Sequence, residues 1–120
     1  MECIIDYTNS NVMYGSLYYG DVRKSTNGGN SFSSIAPSNN GSWETPYELD
    51  KNDPNTIYIG YDEIQKSIDG GNSWSQITNG ETNGGKINEI GISKSNPDVI
   101  YFTDDANIFK TTNGGAGCYY

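Results

Sequence analysis

Short runs in which apolar and polar residues alternate cut this chain into strand-sized pieces. Ile4-Ile5-Asp6-Tyr7, Tyr47-Glu48-Leu49-Asp50 and Ile90-Gly91-Ile92-Ser93 form one set. Val12-Met13-Tyr14, Thr56-Ile57-Tyr58 and Val99-Ile100-Tyr101 form a second, each ending in tyrosine. Asp21-Val22-Arg23-Lys24, Glu63-Ile64-Gln65-Lys66 and Asn107-Ile108-Phe109-Lys110 form a third, and Phe32-Ser33-Ser34-Ile35 and Trp74-Ser75-Gln76-Ile77 a fourth. Asn, Gly, Pro and Asp separate them, as in Asn9-Ser10-Asn11, Asn52-Asp53-Pro54-Asn55 and Asn96-Pro97-Asp98. β-branched and aromatic runs of this length between turn-forming residues predict strands, and no stretch carries a helical period of useful length.

The sets recur in one order. A nine-residue phrase closes each round: Lys24-Ser25-Thr26-Asn27-Gly28-Gly29-Asn30-Ser31-Phe32, then Lys66-Ser67-Ile68-Asp69-Gly70-Gly71-Asn72-Ser73-Trp74, then the eroded Lys110-Thr111-Thr112-Asn113-Gly114-Gly115-Ala116-Gly117-Cys118. The period is about 43 residues, which is the sign of a propeller, solenoid or other array. Four strands per period, read as an antiparallel meander, make the blade of a β-propeller. The first blade covers roughly residues 1–36, the second 43–79 and the third 86–120, with its last strand incomplete.

Ser67-Ile68-Asp69-Gly70-Gly71-Asn72-Ser73-Trp74 resembles the Asp-box, or BNR repeat, written Ser-x-Asp-x-Gly-x-Thr-Trp, with Ser73 in place of Thr. The first copy has Asn27 for Asp and Phe32 for Trp; the third has Thr111, Asn113 and Cys118 at the diagnostic positions. The resemblance spans nearly the whole chain and implies a propeller like those of sialidases, xyloglucanases, sortilin-type receptors and photosystem assembly factors. It implies fold far more than activity.

Turn chemistry accounts for the phrase. Gly28, Gly70 and Gly114, with Gly29, Gly71 and Gly115 behind them, can take positive φ without a Cβ penalty. Asn27, Asp69 and Asn113 can accept from backbone N–H groups ahead of them, and Ser25 and Ser67 add hydroxyls to the same knot. Phe32 and Trp74 are expected to fold over the hairpin, burying roughly 150–250 Å² each. A metal loop would need more oxygen ligands than this turn offers, and Asp50-Lys51-Asn52-Asp53 lacks the alternation and closing Glu of a calcium loop. Neither a metal nor a cofactor is expected.

Length and charge narrow the partners. At 120 residues the chain is at most one domain. Seven basic against fifteen acidic residues give a net charge of −8, with no basic stripe for phosphates, so nucleic acid is not expected. No apolar run approaches a membrane span and no signal peptide precedes Ile4, so a secreted protein would appear here in mature or fragment form. Propellers close with four to eight blades, so further blades of a longer chain or a second copy must complete the ring. The decay of the third phrase favours a longer chain. Cys3 and Cys118, at opposite ends, are read as free or incidental, although an assembled ring would bring its seam between them.

If the boxes sit at the turns between third and fourth strands, the loops between second and third strands lie on the opposite side. Those loops hold Tyr18, Tyr19 and Asp21, then Tyr61, Asp62 and Glu63, then Asp104 and Asp105; the connections between blades add Trp43, Glu44 and Glu81. Aromatics among carboxylates suit the apolar face and hydroxyls of a sugar, or a basic protein surface; acidic loops also keep a tyrosine-rich protein soluble. Without histidine, His-based triads and His-ligated zinc are excluded, and Arg23 alone cannot supply the arginine cluster that the sialidase resemblance would need. No pair of carboxylates is singled out for glycosidase chemistry. The expectation is a non-catalytic binding or scaffold propeller for carbohydrate or protein, extracellular or at the cell surface. The alternative is a sector of a sialidase- or xyloglucanase-like glycoside hydrolase whose catalytic residues lie largely elsewhere.

Overall fold

A computed structural model describes residues 2–115 and the backbone of Cys118–Tyr119. Its strands form three four-stranded antiparallel meanders. The first contains β1 (Cys3–Ile5), β2 (Met13–Ser16), β3 (Val22–Ser25) and β4 (Ser33–Ser34). The second contains β5 (Tyr47–Leu49), β6 (Ile57–Gly60), β7 (Ile64–Ser67) and β8 (Ser75–Gln76); the third β9 (Glu89–Ile92), β10 (Ile100–Thr103), β11 (Ile108–Thr111) and β12 (Cys118–Tyr119). A single 3-10 turn at Tyr18–Gly20 is the one helical feature among the described residues.

The tyrosine triplets open the second strands and do not end them. Ladders run on through Ser16, Gly60 and Thr103, because the chain stays extended until its next turn. The fourth strands are shorter than their alternation predicts, two residues each, β12 included.

Register decides which side of each sheet a residue occupies. Tyr14 lies opposite Ile4 and Lys24, and Tyr58 opposite Glu48 and Lys66. That side, here called trailing, meets the next blade; the other, leading side meets the blade before. Two cores result. Between the first and second blades Tyr14 and Val22 pack on Tyr47, Leu49, Ile57 and Ile59. Between the second and third, Tyr58 and Ile64 pack on Ile90, Ile100, Phe102 and Phe109, with Phe102 and Phe109 rings 4.9 Å apart. Ile87, in the connection before β9, is fully buried there and was not marked by any strand pattern.

Each box folds as a knot around one hydroxyl. Ser67 Oγ donates to Asp69 Oδ1 at 2.8 Å and accepts from Gly71 N at 2.8 Å. Asp69 Oδ1 also accepts from Ser73 N at 2.9 Å, and Oδ2 from the Ser73 hydroxyl. Ser25 with Asn27 and Gly29, and Thr111 with Asn113 and Gly115, repeat the arrangement. Each knot is tied to the neighbouring turn of its own blade: Gly28, Gly70 and Gly114 donate to the carbonyls of Asn11, Asn55 and Asp98 at 2.9–3.0 Å. The boxes and the turns between first and second strands therefore share one end of the molecule. Gly71 needs its glycine twice, for a φ of 95° and because a Cβ would sit 2.7 Å from Ile35 Cδ1 of the preceding blade.

Two expectations about the aromatic that ends the phrase are corrected. Phe32 is not buried and stays 44% exposed. Trp74 packs on the previous blade, donating from Nε1 to Ile35 O at 2.9 Å. The position faces the leading side, so it is partly buried where a blade precedes it and exposed where none does. Cys3 is an exposed free thiol on the first strand of its blade, and the backbone of Cys118 lies on the fourth strand of another; the Cys118 side chain and Tyr120 fall outside the described residues.

Ser67→Ala leaves Gly71 N–H without its acceptor in a buried site, and is expected to cost about 1–3 kcal/mol in urea unfolding. Ser67→Thr should restore most of that, since Thr111 already does the same work. Hydrogen bonds from the Ser73 hydroxyl, then its amide, then Ser67 hold the Asp69 carboxyl at about 2, against an ordinary 3.8. The folded value is depressed, so its stabilisation is present above about pH 4 and is lost as pH falls through about 2. Asp69→Asn, matching Asn27 and Asn113, should keep the fold at neutral pH and flatten the acid limb of the stability curve.

Candidate functional site

At the end opposite the boxes, the loop between β2 and β3 makes an abrupt reversal. Tyr18–Gly20 forms the 3-10 turn, with Tyr19 in the left-handed region at φ 60° and Gly20 at φ 85°. Leu17 N donates to Asp21 O at 2.9 Å across its neck, and Gly41 N donates to Tyr19 O at 3.0 Å from the connection between blades. Further along that connection a turn closed by Thr45 Oγ1 on Ser42 O, 2.9 Å, carries Trp43.

The two loops bring three aromatic rings together. Tyr18 and Trp43 stack with centroids 4.2 Å apart and planes at 29°. Tyr19 meets Trp43 edge-on at 5.5 Å. All three stay about half exposed, at 48%, 51% and 54% for Tyr18, Tyr19 and Trp43. Large aromatics gathered in water without being covered by the fold make a ready apolar platform.

Beside Tyr18 and Tyr19 lies an open groove of about 560 Å³, its wall completed by Asp21, Arg23, Ser34 and the Ala36–Asn39 segment. Asp21 accepts from Arg23 Nε at 2.9 Å and from Ser34 Oγ at 2.8 Å. Burial raises the Asp21 carboxyl, but the bonds from Ser34 and Arg23 and the guanidinium charge outweigh it and leave the group below its ordinary value. The groove therefore pairs an apolar edge with a fixed carboxylate and guanidinium, the donor and acceptor set that vicinal hydroxyls accept. Trp43 and Glu44 line a second, shallower depression with Ser42, Asn88 and Glu89.

Most of the remaining candidates make hydrogen bonds within the fold. Tyr61 is 2% exposed and donates to Gly20 O at 3.0 Å, so it buttresses the Tyr18–Gly20 turn from below. The Glu63 carboxylate accepts from Thr78 Oγ1 and from Gly80 N, and fixes the next connection. Asp62 offers its carbonyl to Thr82 Oγ1 at 2.8 Å. Asp104 accepts from Ala106 N and Asn107 N of its own turn, and Asp105 from Asn88 Nδ2 at 2.7 Å. Arg23, Ser34 and Asn39 had no motif to mark them; only the fold sets them beside Tyr18. Glu48, on the trailing side of β5, is raised by burial and then by the Glu2 charge. Among the described residues no group of three or more His, Cys, Asp or Glu is placed to hold a metal ion.

No protein-family model and no curated protein match the chain. Solved structures do. An ancestral GH74 enzyme superposes with a TM-score of 0.77 at 22% identity, over 98% of this chain and 18% of that one. The GH74 xyloglucanase from Xanthomonas campestris gives 0.70 at 13% identity, over 98% and 22%. YCF48 bound to D1 peptide gives 0.65 at 15%, over 98% and 42%. The chain thus spans about a fifth of the two GH74 chains. At these identities the likeness is one of fold, and the chain is a partial β-propeller. No helix among the described residues is long and apolar enough to cross a membrane.

Tyr61→Phe removes the donor to Gly20 O. It is expected to cost about 1 kcal/mol of stability and to weaken the near-ultraviolet circular dichroism of the Tyr18–Trp43 stack; an unchanged spectrum would show that Tyr61 does not hold the turn.

Proposed function

We propose that this chain is a carbohydrate-binding sector of an extracellular propeller, with Tyr18, Tyr19 and Trp43 as its platform. The observation that carries the reading is the half-exposed aromatic stack beside a groove lined by Asp21, Arg23, Ser34 and Asn39. A pyranose ring offers one face of C–H groups to an aromatic and its hydroxyls to flanking polar groups, and this arrangement supplies both. The xyloglucanase among the structural neighbours acts on a glycan by name, which supports testing this class first.

A second reading, a sector of a glycoside hydrolase, is favoured by the two GH74 neighbours. Binding is preferred over catalysis because the carboxylates of Glu63, Asp104 and Asp105 already accept hydrogen bonds from neighbouring loop groups. Backbone amides of Ala106 and Asn107 hold the Asp104 carboxyl below its ordinary value, the wrong direction for a general acid.

Calorimetric titration with xyloglucan and cello-oligosaccharides is expected to show binding, weakened about tenfold by either Tyr18→Ala or Trp43→Ala. Binding indifferent to both substitutions would move the site elsewhere. Turnover abolished by Asp62→Asn would establish the hydrolase reading, and binding of peptides but of no glycan would replace carbohydrate with a protein ligand.

A further inference from the structure

Asparagine followed by glycine readily loses its side-chain amide without an enzyme, because glycine has no side chain to shield its backbone nitrogen or restrict its turning. The chain carries five such pairs, beginning at Asn27, Asn40, Asn79, Asn83 and Asn113, and those at Asn27, Asn83 and Asn113 continue as Asn-Gly-Gly. These three are alike in local sequence, so the fold decides whether they react alike.

In four pairs the glycine amide is engaged. Gly28 N donates to Asn11 O, Gly114 N to Asp98 O and Gly41 N to Tyr19 O, each at 3.0 Å. Gly80 N donates to the Glu63 carboxylate. The box asparagines are held at the side chain as well. Asn27 Oδ1 accepts from Ser25 Oγ at 2.9 Å and from Ser31 N at 3.0 Å, and its Nδ2 donates to Ser31 Oγ at 2.8 Å. Asn113 Oδ1 accepts from Thr111 Oγ1 at 2.8 Å.

Asn83 differs on each count. It lies exposed in the connection between the second and third blades, with φ of 52° beside Gly84 at 85°. Neither its side chain nor Gly84 N has a hydrogen-bond partner among the described residues. A Cβ on Gly84 would meet nothing within 4 Å. Asn83 N on Gly80 O at 3.1 Å and Gly85 N on Thr82 O at 3.0 Å close the turns on either side, and the Asn83–Gly84 peptide between them is clear of packing.

We propose that Asn83 is a site of spontaneous deamidation, and that the box knot protects Asn27 and Asn113 from the same reaction. The Gly84 nitrogen gives its proton to hydroxide and attacks Asn83 Cγ. The bond from Cγ to the side-chain nitrogen breaks, ammonia leaves with a proton from water, and a five-membered imide remains. Water then opens the ring at either carbonyl, giving aspartate or, with the backbone rerouted through the side chain, isoaspartate. Both products place a new negative charge near Asp104, whose Oδ2 would lie 3.5 Å from a Cβ on Gly85, and like charges there repel. Isoaspartate also lengthens the turn by one backbone carbon.

The test is to hold the folded chain in mildly alkaline buffer and follow each site by peptide mass spectrometry with fragmentation. Conversion at Asn83 should outpace that at Asn27 and Asn113 by at least about tenfold, since each protecting hydrogen bond contributes about 1 kcal/mol and several must open together. In urea, where the knots are lost, Asn27 and Asn113 should rise to the Asn83 rate. Asn83→Gly keeps the positive φ and removes the amide, so the first acidic band to form in isoelectric focusing should vanish. Asn27 or Asn113 converting as fast as Asn83 in the folded chain would overturn the proposal. So would a folded Asn83 that stays intact while the unfolded one reacts, or an acidic band that survives Asn83→Gly.

Discussion

A four-stranded sheet has two sides, and neither can be buried by the sheet itself. Everything in this molecule follows from that. Tyr58 and Ile57 are neighbours on β6, each essentially without solvent contact, and each is covered by a different blade. Tyr101 has the sequence position of Tyr58 but no blade beyond it, and it stands nearly half exposed. The core is accordingly not inside any blade. It lies in the seams, and a blade gains its stability by being between two others.

The box is the device that makes a tight seam possible. Its serine or threonine hydroxyl gathers the hairpin into a knot, and its glycines leave a surface without Cβ atoms. The preceding blade's fourth-strand end can then come to backbone distance, as Ile77 O does against Gly115. At the first seam the carbonyl of the first glycine also receives a lysine from the preceding blade, Lys24 on Gly70 O. Because this machinery occupies one end of the molecule, the other end is free to vary. There the loops carry Tyr18, Tyr19 and Trp43, which are half exposed, beside Tyr61, which is buried in a seam.

The period, the strand order and the chemistry of the boxes were legible in the chain, because each is local and repeated three times. Strand alternation predicted β6 and β7 within a residue or two, and the Ser-Asp-Gly spacing predicted the knot. What the chain could not reveal depends on neighbours. Tyr61 and Tyr18 sit in equivalent loops, yet Tyr61 is roofed by the Gly20 turn of the blade before while Tyr18 is not. Phe32 and Trp74 share one position in the phrase, but only Trp74 has a blade in front of it to pack on. Ser34 and Asn39 join Tyr18 through packing across sixteen or more residues, a distance over which no spacing rule operates. Each of these is a fact about packing between units, and a motif within one unit is silent on it.

The two tryptophans fall at separate places, one beside the groove and one at a seam near the boxes. Their indole N–H resonances therefore read the central functional claim directly. In a proton–nitrogen correlation spectrum titrated with xyloglucan oligosaccharide, the Trp43 indole signal should move with saturation. The Trp74 signal, held by its bond to Ile35 O, should stay in place. A Trp43 signal that does not respond while the ligand binds, or a response confined to Trp74, would contradict the account.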